Sequence, residues 1–322
     1  MKLLLCGDTM LGRGVGKVIE KNGPGYPLGK IAAFMKDADL CIVNLECAIT
    51  SSKSIWGGES KAFYFGAPTD AAKALRMAGI DLVNLANNHV LDFGVNGLED
   101  TLRCLDEAGI GHAGAGMSIA DASRPALIDR GGMKFGMAAF CDHQPDFAAG
   151  SNNPGINYLD LFDEKMSLEM FREGLGKMGR VDWPVLSLHW GPNMVHRPSR
   201  KFIRLAHGAI EMGYRIVYGH SAHVFHGVEL YRGMPIFYSC GDLVDDYYVD
   251  REFANDCQLL FELELSEENV HKLVIHPVRI ENCRTVWATG ERKSFVLKRF
   301  ASLCSEFGTQ VLGDAVSLSR RS

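Results

Sequence analysis

The sequence predicts an α/β protein in which two mixed β-sheets pack face to face as a sandwich, flanked by helices in an α/β/β/α arrangement. Three observations predict it. Short runs rich in Val, Ile and Leu recur along the chain and end on polar residues, the pattern of buried strands. Strand and helix patterns alternate through roughly the first 115 residues, which points to a largely parallel sheet covered by helices. The second half again mixes strands and helices but joins strands by hairpins, which requires a second sheet with mixed pairing.

Taken in order, Leu3-Leu4-Leu5-Cys6-Gly7-Asp8 is the first strand, Ile42-Val43-Asn44-Leu45-Glu46 the second, and Leu82-Val83-Asn84-Leu85 the third. Helical spacing of apolar residues predicts helices over 27–36 (Ile31, Phe34, Met35), 69–78 and 96–108 (Leu98, Leu102, Leu105). Residues 126–129 and 134–140 flank Gly131-Gly132 and read as a hairpin. The stretch 142–157, rich in Pro, Gly, Asn and Asp, reads as a long surface loop or lid. Helices follow over about 161–177 and 199–212, and strands end at His189 and His220. Later strands are expected at 235–240, 258–265 and 272–280, then an amphipathic helix over 293–307 and a disordered tail over 317–322. The domain reading is one domain over 1–265, with a C-terminal strand and helix extension over 266–322 packed on it.

Composition narrows the function classes. A hydrophobic fraction of 47% and a charged fraction of 23% are those of an ordinary globular protein. A net charge of -5 and a pI near 6.1 argue against a nucleic-acid partner, which calls for a basic face. Nine scattered cysteines without a C-x-x-C pair fit a reducing compartment. No run approaches the ~18–20 apolar residues of a membrane span, and the first residues run straight into a strand. The expectation is a cytoplasmic protein without a membrane anchor. Oligomeric state is not readable.

The polar residues that end the apolar runs form an ordered series: Asp8, Glu46, Asn88 and His89, His189, then His220 and His223. In open α/β sheets, ligands bind outside the carboxyl ends of the strands. Five strand ends therefore send carboxylates, an amide and imidazoles toward one place. Imidazole suits Zn, Fe or Mn, and carboxylate and amide oxygens suit Mn or Mg, so the mixture points to one or two divalent metal ions. Asp92, three residues beyond His89, is placed to orient its ring across a helical turn. Arg13 can clamp an anion bidentately. Asn193, His196 and Arg197 lie in a loop after His189 where substrate contacts are expected. His226, Glu229, Asp242, Asp245 and Asp246 either orient ligands or are polar turn residues. Gly12-Arg13-Gly14-Val15-Gly16-Lys17 fails as a phosphate loop, because Leu11 and Val18 stand where Gly and Ser or Thr are needed. No G-x-S-x-G elbow occurs, which sets serine hydrolase chemistry aside.

These motifs together resemble the calcineurin-like metallophosphoesterases, and within them the CapA (poly-gamma-glutamate capsule biosynthesis) family. The resemblance rests on Gly7-Asp8-Thr9-Met10-Leu11-Gly12-Arg13, Asn44-Leu45-Glu46, Ala86-Asn87-Asn88-His89-Val90-Leu91-Asp92, His189-Trp190-Gly191, Gly219-His220-Ser221-Ala222-His223 and Tyr238-Ser239-Cys240-Gly241-Asp242. It implies that Glu46, Asn88, His189 and His220 surround one metal, and that Asp8, Glu46 and His223 contribute to another, with Glu46 bridging. It makes His89 the general acid. The chain departs from the phosphoesterase pattern at Met10, where a histidine is usual, at Glu46 in place of Asp, and in a His-x-x-His last motif. CapA sequences share these departures, though many carry Glu at the position of Asn193 and Asn at that of Asp242. The implied function is hydrolysis of a phosphoester by metal-activated water, linked to poly-gamma-glutamate or a related polymer, with Mn, Zn, Fe or Ca as the cofactor. The substrate would be an anionic small molecule, a phosphoester or peptide-like. The alternatives are a metal-dependent peptide epimerase and a non-catalytic scaffold of a polymer-synthesis complex.

Overall fold

The computed structural model describes residues 1–318. Its first sheet contains β1 (Lys2–Thr9), β2 (Leu40–Leu45), β3 (Leu82–Asn84) and β4 (Gly111–Ala113) as parallel neighbours. The second is built on β5 (Ala126–Arg130), β6 (Met133–Cys141), β7 (Trp183–His189), β8 (Ile216–His220), β9 (Val228–Tyr231) and β10 (Met234–Phe237), in the order β9-β10-β8-β7-β6-β5. The chain then returns to the first sheet. There, β11 (Asp242–Val244) runs parallel beside β1, and β12 (Cys257–Leu265) and β13 (Val270–Glu281) extend the other edge antiparallel. β14 (Arg284–Trp287), β15 (Val311–Leu312) and β16 (Ala315–Val316) finish that edge. Both sheets are thus mixed, as the alternating and hairpin-joined halves of the sequence require.

The inner faces meet in one apolar core that includes Leu3 and Leu5 of β1, Met137 of β6, Val185 of β7 and Phe237 of β10. The Tyr218 hydroxyl of β8 donates to the Cys6 carbonyl of β1, and Phe237 meets Phe261 edge-on at 5.0 Å, so the two sheets are tied at several levels. On the first sheet lie α1 (Arg13–Asn22), α2 (Ala32–Lys36), α3 (Asp70–Ala78) and α4 (Gly94–Ala108). After a single turn of helix at α5 (Ile119–Ala122), α6 (Glu164–Lys177) and α7 (Arg200–Met212) cover the second sheet through a separate cluster around Phe171, Leu205 and Tyr214. α8 (Gly290–Ser305) packs Phe300 against Phe225 and Phe261.

Several expectations are corrected. The helix expected over 27–36 is only α2. Residues 24–31 form turns in which the Leu28 carbonyl receives Ile31 N–H at 2.9 Å and Ala32 N–H at 2.7 Å. Pro27 and Gly29 do not sustain a helix there. Conversely, α1 was hidden by its glycines, whose low helix propensity tertiary packing overrides. The tail expected to be disordered over 317–322 is ordered at Ser317, which donates to the Gln310 carbonyl at 2.8 Å; residues 319–322 lie outside the described residues. Residues 265 and 266 lie at the β12–β13 hairpin, where Ser266 N–H donates to the Asn269 carbonyl at 3.0 Å. The stretch 142–157 carries a short 3-10 turn (Pro145–Phe147), and its Phe147 is buried. All nine cysteines are free, eight of them buried. Among the described residues, no helix is long and apolar enough to cross a membrane.

Candidate metal centre

Every strand that ends in the polar series ends at the same edge of the sandwich. Asp8 closes β1, Glu46 follows β2, and Asn87, Asn88 and His89 lie in the loop after β3. His189 and His220 stand opposite one another at the ends of the paired strands β7 and β8. β11 brings Asp242 beside Asp8 in register. That approach needs Gly7: a Cβ there would lie 1.9 Å from the Gly241 carbonyl oxygen. His223 sits on a left-handed residue (φ 58°) just past β8, which turns its ring back toward Asp8.

The side chains converge closely. Asp8 Oδ1 is 3.5 Å from His220 Nδ1 and 3.9 Å from His189 Nδ1, and Asp8 Oδ2 is 3.4 Å from His223 Nδ1. Glu46 lies between the histidines, 3.8 Å from His189 Nε2 and 4.0 Å from His223 Nδ1. Asn88 Oδ1 is 3.0 Å from His189 Nε2. Two sets of donor atoms lie within 4.8 Å of one another, Asp8–His189–His220 and Asp8–His223–Asp242, with Asp8 common to both.

All six residues read from the sequence as ligands are therefore brought together. Asp242, read only as a ligand-orienting or turn residue, joins them. The oxygens Glu46 Oε2 and Asp242 Oδ2 are buried without a hydrogen-bond partner. Unpaired buried carboxylate oxygens are costly to leave in apolar surroundings. A divalent cation satisfies both the oxygens and the ring nitrogens, so these residues fit one.

The electrostatics agree with a cation-binding cluster. Burial and the neighbouring Asp8 push the Glu46 carboxyl well above its ordinary range. Burial also holds His220 down at about 4 and, helped by the adjacent His220, His189 well below its usual value. Burial opposes protonation of His223, but Asp242 and Glu46 outweigh it and raise that ring. Buried acids and imidazoles so shifted are the environment expected of a site built around a charged ligand.

An orienting layer lies behind the ligands. Asn44 donates to Asp8 Oδ1 at 2.7 Å, and its own Oδ1 receives Asn84 at 2.7 Å and Asn87 at 3.1 Å. Asn87 Oδ1 in turn accepts the N–H groups of His89 and Val90, each at 3.0 Å. A polar residue inside the apolar run Ile42-Val43-Asn44-Leu45 was the available signal for Asn44.

His89 stands at the open side. Its Nδ1 lies 2.6 Å from Asp92 Oδ2, and its Nε2 faces Glu46 Oε1 at 4.0 Å. Phe65 stacks on the ring at 3.8 Å between centroids. Burial holds His89 at about 4 despite Asp92. Asp92 thus meets the ring three positions before it in the chain. It also binds Lys61, which no sequence pattern singles out.

A cavity of about 440 Å³ opens over this floor, bounded by Arg13, Phe63, Phe65, Asn193, His223 and Tyr248 among others. Arg13 and Asn193 line this cavity, and Arg197 does not. Its guanidinium makes a two-pronged pair with Glu306, both contacts at 2.7 Å, at a separate cavity beside Trp190 and His226. A ready carboxylate just past α8 captures it.

Comparison with known proteins fits this architecture. The family model described as Bacterial capsule synthesis protein PGA_cap matches residues 2–247. The chain is 29% identical to the probable polyglutamine synthesis accessory protein of Mycobacterium tuberculosis, over 96% of this chain and 93% of that protein. It is 28% identical to the capsule biosynthesis protein CapA of Bacillus anthracis, over 76% of this chain and 60% of that one. With the PGA biosynthesis protein CapA of Bacillus subtilis the identity is 30%, over 74% and 62%. A solved structure of a hypothetical protein from Thermus thermophilus shares the fold, with a TM-score of 0.51 at 14% identity over 86% of this chain and 98% of that one.

Proposed function

This chain belongs to the bacterial capsule synthesis protein PGA_cap family, and from that premise we propose that it is a divalent-metal-dependent phosphoester hydrolase with His89 as proton donor to the leaving group. By the family link, its place is in the making of poly-gamma-glutamate or a related acidic, amide-linked polymer. One observation carries the reading: an imidazole anchored through Nδ1 leaves Nε2 free at the floor of an open pocket, beside a buried cluster of metal-type ligands. A purely structural metal needs no such group next to it.

Asp8, Glu46, Asn88, His189, His220, His223 and Asp242 would hold one or two cations. A cation bound there supplies charge neutralisation at the phosphoryl group and lowers the pKa of water. The remaining work falls to the chain itself. Arg13, at the pocket wall, attracts the substrate's anionic group. Asp92 accepts from His89 Nδ1 and so fixes the tautomer and the ring's direction. A nearby anionic substrate favours the protonated imidazole, whose Nε2–H is then transferred to the leaving oxygen as the ester bond breaks.

The test is reconstitution with Mn, Zn or Fe, measurement of bound metal, and assay on 4-nitrophenyl phosphate, bis(4-nitrophenyl) phosphate and phenyl phosphate. His89→Gln should retain its metal and lose about 10²–10⁴-fold in kcat on phenyl phosphate. A fully loaded protein that turns over none of these esters, yet exchanges deuterium into the α-carbon of a peptide, would replace this reading with epimerisation.

A further inference from the structure

The loop over residues 51–65 is exposed along most of its length and has no regular structure, yet its Lys61 side chain is only 8% exposed. The ammonium is turned inward. It donates to the Asn88 carbonyl and to Asp92 Oδ1, and it lies 4.8 Å over the Phe147 ring. Asp92 has no solvent exposure, and its other oxygen takes the Phe65 N–H at 2.7 Å as well as His89 Nδ1. Both oxygens of this carboxylate are therefore committed, one to Lys61 and one to Phe65 and His89. Without Lys61, Oδ1 would lose this partner in a buried site, and the carboxylate would be free to turn and release the imidazole.

We propose that Lys61 is a positioning residue for proton transfer. It holds Asp92 by Oδ1 and keeps the carboxylate turned so that Oδ2 takes His89 Nδ1–H, which leaves Nε2 directed at the substrate. As a water oxygen bonds to phosphorus and the P–O bond to the leaving group breaks, one proton passes from His89 Nε2 to the leaving oxygen, while Lys61 and Asp92 stay hydrogen-bonded and give up no proton to the substrate. The same contact helps seat the loop 51–65 beside the pocket. The loop has an independent tether in Trp56, whose Nε1–H donates to Asp146 Oδ2 at 2.7 Å, which supplies a control. This inference rests on the assignment of His89 as proton donor.

The experiment compares Lys61→Met, Lys61→Arg, Trp56→Phe, His89→Gln and the Lys61→Met/His89→Gln double variant, all metal-loaded. The probes are phenyl phosphate, whose leaving group needs a proton, and 4-nitrophenyl phosphate, whose leaving group does not. Lys61→Met should lose about tenfold in kcat on phenyl phosphate, with KM and bound metal unchanged and only a small loss on the nitrophenyl ester. Lys61→Arg should recover most of the rate. In the His89→Gln background the Lys61→Met change should add nothing.

An equal loss on both esters that persists in the His89→Gln background would reduce Lys61 to a loop tether and overturn the inference. If His89→Gln itself shows no dependence on the leaving group, the His89 assignment falls first and is seen to do so. Should Lys61→Met not fold, the His89 Nδ1–H proton resonance of the metal-free protein, identified by its absence from His89→Gln, decides the matter. Lys61→Arg should shift it and Trp56→Phe should not. Identical behaviour of those two variants would also overturn the inference.

Discussion

The two sides of the pocket are built by different means. The proposed ligand side is built on residues at or next to the ends of β1, β2, β7, β8 and β11, with Asn88 added from the loop after β3, and Asp8, His189 and His220 are at most 1% exposed. Strand pairing fixes the backbones of those three, and Asn44, itself held by Asn84, holds Asp8 from behind. On the side proposed for proton transfer, His89, Asp92, Lys61 and Phe65 all lie in loops, and they are held by one another rather than by a sheet. Ligands gathered around a cation tolerate little displacement, so strand ends suit them. An acid must meet a substrate that enters and leaves, and loops on a rigid scaffold suit that task. Disturbing the first side should therefore cost metal and stability together, and disturbing the second should cost rate alone.

The largest effect is expected where the ligand side is closest packed. Gly7→Ala sets a methyl group 1.9 Å from the Gly241 carbonyl oxygen and would part β1 from β11, separating Asp8 from Asp242. Thermal unfolding should show destabilisation of about 3 kcal/mol, the upper range for overpacking. Elemental analysis should show loss of bound metal. A Gly7→Ala protein that keeps full metal would mean that Asp242 takes no part in binding it.

Asn87→Ala comes next, because Asn87 is the link between the two sides. Its amide nitrogen donates to Asn44 and to the Leu45 carbonyl, and its oxygen receives His89 and Val90. Removing it leaves several buried groups unpaired, at about 2–3 kcal/mol of stability. Both metal affinity and kcat should fall. A loss of kcat with metal affinity intact would show the two sides to be less coupled than the hydrogen bonds indicate.

The same contrast explains what was legible in the sequence. Strand-end residues announce themselves, since a polar residue closing an apolar run has a definite direction and place. Asp8, Glu46, His189, His220 and the two-sheet sandwich were readable for that reason. Asp242 carried the same signal after Tyr238-Ser239-Cys240-Gly241, and its pairing with Asp8 depends on β11 returning to the first sheet, which short-range pattern does not reveal. Lys61 had no signal at all. A lysine in a loop of Ser, Gly and Lys reads as solvated, and only the tertiary position of Asp92 turns it inward. The expected 27–36 helix failed for a local reason, since apolar spacing outvoted Pro27 and Gly29. Arg197 failed for a distant one, Glu306 lying 109 positions away.

The smallest effects separate two arginines that the sequence placed on equal terms. Arg13 lies 5.3 and 5.4 Å over the rings of Phe63 and Phe65 and pairs with Asp246 at 3.2 Å, at the wall of the pocket. Arg13→Ala should raise KM for 4-nitrophenyl phosphate about tenfold, the value of one charge-assisted contact, with kcat little changed. Arg197 is 63% exposed and already paired, so Arg197→Ala should leave KM and kcat unaltered and cost at most about 1 kcal/mol of stability, as exposed ion pairs do. Steady-state kinetics on the two variants, run side by side, reads the difference directly. If Arg197→Ala raised KM as much as Arg13→Ala, the loop after His189 would have to leave Glu306 and close over the substrate, and the pocket would have a third, movable side.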